Sequence, residues 1–94
     1  MGTMNSMELH QVYALADRII AAATPVMTRL GWSSSDAAIG DNPDVEVALA
    51  VEAYQWAGER IPNDLYDDVM AYLATIPEGD PSRLRIEAAI PVTA

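Results

Sequence analysis

Ninety-four residues with 51% apolar content and a net charge of −9 bound the chain to one domain, which buries about 60–65% of its unfolded surface. It has no cysteine, which excludes disulfide scaffolds, thiolate nucleophiles and Cys-ligated zinc. Every basic residue is an arginine, and nine acids against one arginine between Asp36 and Asp68 put −8 of the charge there; this balance argues against direct contact with nucleic acid or anionic lipid, both of which need basic patches.

Sixteen alanines favour helix. With no phenylalanine, the core has to come from Ala, Val, Ile, Leu and Met, with the two tryptophans and four tyrosines beside them. No uncharged apolar run approaches the roughly 18 residues of a membrane span, and no basic-then-apolar signal opens the chain. A soluble, cytoplasmic protein is expected. Residues 1–6 (MGTMNS) read as a leader or disordered N-terminus outside the domain, with a native start expected at Met4 or Met7, and residues 7–94 as one helical domain.

A first helix is predicted from Ser6 to Leu30. Leu9, Val12, Tyr13, Ala16, Ile19, Ile20 and Ala23 recur at three- and four-residue steps, which marks one buried face. Ser6 is the expected cap. Thr24-Pro25 reads either as a kink or as a new cap with Pro at the first helical position, and Gly31 is placed to end the helix. Trp32 to Asn42 is a loop rich in Ser, Asp and Gly, with room for a short helical turn at Ser35–Ile39.

The second helix is predicted over Asp44–Ile61. Asn42 caps it, Pro43 takes the first position, and Asp44 and Glu46 meet the positive end of the dipole. It is apolar on almost every side: Val47, Ala50, Val51, Tyr54, Ala57 and Ile61 share one face, Val45, Leu49 and Trp56 the opposite one. Only Glu52, Gln55 and Glu59 form a polar strip. Such a helix is either central to a bundle or shared with a partner chain.

Pro62 ends it. Asn63 is then expected to cap a third helix over Asp64–Thr75, with Leu65, Val69, Tyr72, Leu73 and Ile76 on its inner face. Asp80-Pro81 repeats the cap-then-Pro pattern and opens a short helix over Ser82–Ala89, bounded by Pro91. No strand alternation is visible. The fold class is all-α: a small bundle of three main helices plus a short C-terminal helix.

No motif carries a catalytic mechanism. His10 is the only histidine and is expected to face solvent. Ser33, Ser34 and Ser35 lack the glycines of a nucleophile elbow. Glu52 and Glu59 stand two turns apart, about 10.5 Å along the axis, too far to share one ion, and no Glu-x-x-His pair supports a bundle metal site. Asp64, Asp67 and Asp68 complement a helix dipole without forming a calcium loop. Trp56-Ala57-Gly58 resembles the WXG turn of small helical secreted proteins, but it falls past the chain midpoint, Pro77 cuts the following helix, and neither Tyr66 nor Tyr72 is followed four residues later by an acid; that family is not adopted. Neither a metal nor a cofactor is expected.

Core packing is the commonest fate of large apolar residues, and it would seat Trp56 on the first helix and Tyr54 on the third. The alternative is an interface built from Leu49, Glu52, Trp56, Glu59, Tyr66 and Asp67, because Trp and Tyr bury area while keeping a polar handle. The leading expectation is a non-enzymatic protein-interaction module, a regulator, adaptor or inhibitor of a basic partner protein, with self-association through a spare apolar face. The alternatives are a structural subunit of a larger assembly, such as a virion or secretion apparatus, and an acidic mimic of nucleic acid that inhibits a DNA-binding protein.

Overall fold

A computed structural model describes residues 8–32 and 42–90. The expectations for residues 1–6, for the helical turn at Ser35–Ile39, for Ser33–Ser35 and for Pro91 fall outside them. The described residues form four α-helices and no strand: α1 (Leu9–Arg29), α2 (Pro43–Ala57), α3 (Asn63–Leu73) and the short α4 (Pro81–Ala89). The all-α bundle with a short last helix is therefore the architecture of the chain. None of these helices is long and apolar enough to cross a membrane.

The helix ends follow local chemistry. Asn42 Oδ1 accepts from the Asp44 N–H at 3.0 Å with Pro43 behind it. Asp80 Oδ1 accepts from the Ser82 N–H at 2.9 Å with Pro81 behind it. In both, the side chain satisfies a backbone donor that the first turn leaves free. α1 and α2 each end on a glycine in the left-handed region, Gly31 at φ 79° and Gly58 at φ 68°. The Trp32 and Gly31 N–H groups return to the Met27 and Thr28 carbonyls, and those of Glu59 and Gly58 to Tyr54 and Gln55. This is the paired 6→1 and 5→2 closure that only a residue tolerant of positive φ completes at low cost.

Several local expectations need correction. α2 ends at Ala57, four residues before the predicted Ile61, where Gly58 closes it. α1 opens at Leu9 with Glu8 in the cap position, where the Glu8 N–H donates to Gln11 Oε1 at 2.9 Å. Asn63 does not cap α3: Pro62 occupies the cap position and Asn63 is already helical, with no side-chain cap bond. The helix stops at Leu73, two residues early, where the Thr75 hydroxyl donates to the Tyr72 carbonyl at 2.7 Å and competes for the ladder. Pro25 neither breaks nor restarts α1, which runs through it. Proline removes one ladder donor, so Pro25→Ala should raise stability by about 1 kcal/mol, a helix-propensity gain reduced by the freer unfolded chain; chemical denaturation of the two proteins measures it.

α2 is the centre of the molecule. It packs on α1 along one side and on α4 along the other, while α3 packs on α1. The all-round apolar character of α2 follows from this sandwich: Val47, Ala48, Ala50, Val51, Ala53 and Tyr54 are all buried. The three small alanines among them let neighbouring helices approach closely. Facing them are Leu15, Ala16, Ile19, Ala23, Val26 and Met27 of α1. The predicted α1 stripe is thus shifted, for Leu9 and Tyr13 are exposed and Leu15 is buried. The inner face of α3 is as predicted, with Leu65, Val69, Tyr72, Leu73 and Ile76 buried; Ile86 and Ala89 anchor α4.

Candidate functional site: the two ends of the central helix

Trp56 is the one large apolar residue of α2 left in solvent, 73% exposed. The expectation that it fills the core against α1 is overturned. Tyr54 fills the core, and its O–H reaches α1, donating to the Ala22 carbonyl at 3.4 Å. Two turns separate the fates of the outer-face residues: Leu49 packs against the core as a half-buried residue while Trp56 extends beyond it.

The polar strip beside Trp56 is not free charge. Arg85 of α4 grips Glu52 in a fork, with Nε to Oε2 at 2.8 Å and Nη2 to Oε1 at 2.9 Å. Arg29, the last residue of α1, pairs with Glu59. Two further pairs are Arg18 with Asp68 at 2.8 Å, which joins α1 to α3, and Arg83 with Glu87 at 3.0 Å within α4. Glu52 holds the Arg85 guanidinium further into its charged range by hydrogen bonding, with burial opposing, and Asp68 does the same for Arg18. Arg60 is exposed and makes no ion pair among the described residues.

At the other end of α2 an open groove of about 420 Å³ lies between α1 and α2, lined by Tyr13, Asp17, Pro43 and Glu46. Asp17 and Glu46 make no ion pair among the described residues. Asp44, on the same turn of α2, accepts a hydrogen bond from the Tyr72 O–H of α3 at 2.5 Å. Tyr72 is fully buried. Burial first, and then the bond to Asp44, push its hydroxyl far above the usual phenol range. Burial also raises the Tyr54 hydroxyl, with a smaller push from Glu59.

The structure therefore separates the expected interface residues. Trp56 is exposed; Glu52 and Glu59 are committed to arginines; Leu49 is half-buried. Tyr66, 40% exposed, and Asp67 lie on the outward side of α3 with Met70 at 42%. His10 is exposed, 3.4 Å from Glu8. Among the described residues no group of three His, Asp or Glu side chains is placed to hold a metal ion. The groove escaped sequence reasoning because it is made by α1 crossing the start of α2; the only local signal was an aromatic and an acid one turn apart, Tyr13 and Asp17.

Compared with protein-family models, with curated proteins and with solved structures, the chain matches none.

Proposed function

We propose that the chain is a small acidic, non-enzymatic protein-interaction module, a regulator, adaptor or inhibitor of another protein in the cytoplasm. The observation that carries this reading is Trp56. An indole 73% exposed on a helix whose other large apolar side chains are buried or half-buried leaves a large apolar area wet, and covering it is worth on the order of 2–4 kcal/mol before association costs. Tryptophan is among the residues that most often dominate binding energy. Among the carboxylates without an ion pair among the described residues are Asp64 and Asp67 beside Tyr66 on α3, and Asp17 and Glu46 at the groove, and these are free to steer a basic partner.

Affinity capture from native lysate tests it. The wild-type chain should retain a partner that Trp56→Ala releases, while thermal stability changes little because the ring supports no core contact. Identical capture by both proteins would remove the reading.

A structural subunit of a larger assembly is the second reading, favoured by the unlike ends of α2. Mimicry of nucleic acid ranks lowest: three of the nine carboxylates between Asp36 and Asp68, namely Glu52, Glu59 and Asp68, are bound to arginines.

A further inference from the structure

We propose that the groove between α1 and α2 seats an arginine side chain from a basic segment of another protein, the guanidinium lying between Asp17 and Glu46 and against the ring of Tyr13. This rests on reading the chain as an interaction module for a basic partner, and adds where and by what chemistry that partner is held.

The helix junctions of this chain pair an acid with an arginine. Arg18 of α1 meets Asp68 of α3 at 2.8 Å, Arg29 of α1 meets Glu59 just past the end of α2, and Arg85 of α4 meets Glu52 of α2 at 2.8 Å. The groove breaks the pattern. Where α1 crosses the start of α2, both helices present a carboxylate, Asp17 from one and Glu46 from the other, and neither makes an ion pair among the described residues. Glu46 stands in the first turn of α2, where the helix dipole offsets its charge. Asp17 stands in mid-helix and has no such support. Like charges on one groove repel, and the chain has little of its own to relieve them. It contains no lysine, and four of its five arginines are already in ion pairs. Arg60 lies beyond the far end of α2, roughly 20 Å along the axis from Pro43. A departure from the rule that the other junctions keep is expected at a functional site.

The surroundings select the cation. The open groove of about 420 Å³ is walled by the Tyr13 ring, 42% exposed, and by Pro43, and low-dielectric walls focus the field of the two acids. The buried Tyr72 reports that field: after burial and the bond to Asp44, Tyr13 and Glu46 add their own upward push on its hydroxyl. No three His, Asp or Glu side chains among the described residues are placed to hold a metal ion, so the fitting occupant is an organic cation. A guanidinium is flat, stacks on an aromatic face and donates several N–H bonds in one plane, which lets it meet the ring and both carboxylates together. An ammonium is a compact, strongly hydrated point charge without that shape.

Amide NMR on the isotope-labelled full chain, titrated with the peptide acetyl-Gly-Ser-Arg-Ser-Gly-amide, tests this. Shifts should saturate at Tyr13, Asp17 and Glu46 while Asp64 and Asp67 stay unmoved, and the same peptide with lysine in place of arginine should bind more weakly. Tyr13→Leu should weaken binding by about twofold to fivefold, the ratio set by an exposed cation–π contact, and Asp17→Asn by about the same, as for an exposed ion pair. Asp17→Arg separates recognition from structure. Its own guanidinium occupies the groove, so peptide binding should be lost while the denaturation midpoint rises, because a repulsive junction becomes a matched one. Asp17 is exposed, and circular dichroism checks that each variant folds. The proposal is overturned by the absence of saturable shifts at the groove, by lysine peptide or spermine binding as tightly as the arginine peptide, or by shifts spread equally over Asp64 and Asp67. Groove shifts that grow with protein concentration alone, which would put a second copy there, or a lowered midpoint for folded Asp17→Arg, would overturn it too. Capture from lysate is read separately: equal capture by wild type and Trp56→Ala removes the reading built on Trp56, whereas lost peptide binding with Trp56-dependent capture intact removes the groove alone.

Discussion

Ile86→Ala should lower the unfolding free energy by about 2–5 kcal/mol, the cost of removing a fully buried aliphatic side chain and leaving a cavity behind. Ile86 is 0% exposed, and Ile86 and Ala89 are the buried residues of α4. The other tie between α4 and α2 is the Arg85–Glu52 fork, which lies near the surface, where ion pairs contribute about 0–1 kcal/mol. The substitution therefore removes most of what docks the helix. A domain this small has a total stability of about 5–10 kcal/mol, so the loss should appear as a large fall in the denaturation midpoint. The consequence at α2 is more specific. With α4 loosened, the side of α2 that α4 covers meets water, and the variant should bind a hydrophobic dye under conditions where wild type does not. An unchanged midpoint, or a stable variant with no dye binding, would mean that α4 is not what covers the second side of α2.

That second side is also where the sequence was ambiguous. The starts of α2 and α4 were legible because Asn42-Pro43 and Asp80-Pro81 act within one turn: a side-chain oxygen meets a backbone N–H two residues on, and proline supplies the φ of the first helical position. The inner face of α3 was legible because five apolar residues repeat at helical spacing, and all five are buried. The sides of α2 were not. Val45, Leu49 and Trp56 read as equally apolar, yet Leu49 packs and Trp56 does not, since coverage depends on where a nine-residue helix lands more than twenty residues later in the chain.

The charges show the same limit. Glu52 and Glu59 read as a solvated strip on one helix face; no arginine lies within a turn of Glu52, and Arg60, next to Glu59, is not the one that pairs with it. Their partners come from 33 and 30 residues away, Arg85 and Arg29, and Asp68 is met from 50 residues away by Arg18. Pairing of this range redistributes the acidity. It ties up Glu52, Glu59 and Asp68 and leaves Asp64, Asp67, Asp17 and Glu46 without an ion pair among the described residues.

Tyr72→Phe should be destabilising at neutral pH and neutral or stabilising in strong alkali. At pH 7 the Tyr72 hydroxyl donates to the Asp44 carboxylate from a fully buried position. A hydrogen bond to a charged acceptor contributes about 1.5–3 kcal/mol, and Asp44 is half-buried, so water repays part of the loss; about 1–2 kcal/mol is expected. The pH dependence follows from the direction of the shift. In the folded chain the Tyr72 hydroxyl is raised well above an ordinary phenol, by burial and then by Asp44, whereas in the unfolded chain it ionises near pH 10. Above that pH the unfolded state sheds a proton that the folded state keeps, and stability falls as pH rises. The contribution of Tyr72 is therefore complete below about pH 10 and is lost progressively above it. Phenylalanine has no proton to lose, so its denaturation midpoint should decline less steeply between neutral and strongly alkaline pH, and the two curves should converge or cross. Tyr54, raised in the same direction, remains in both proteins, so the variant keeps some alkaline sensitivity. Parallel curves at all pH values would show that the hydroxyl of Tyr72 titrates alike in the folded and unfolded chains, and that the tie between α3 and the first turn of α2 is not what holds the groove end together.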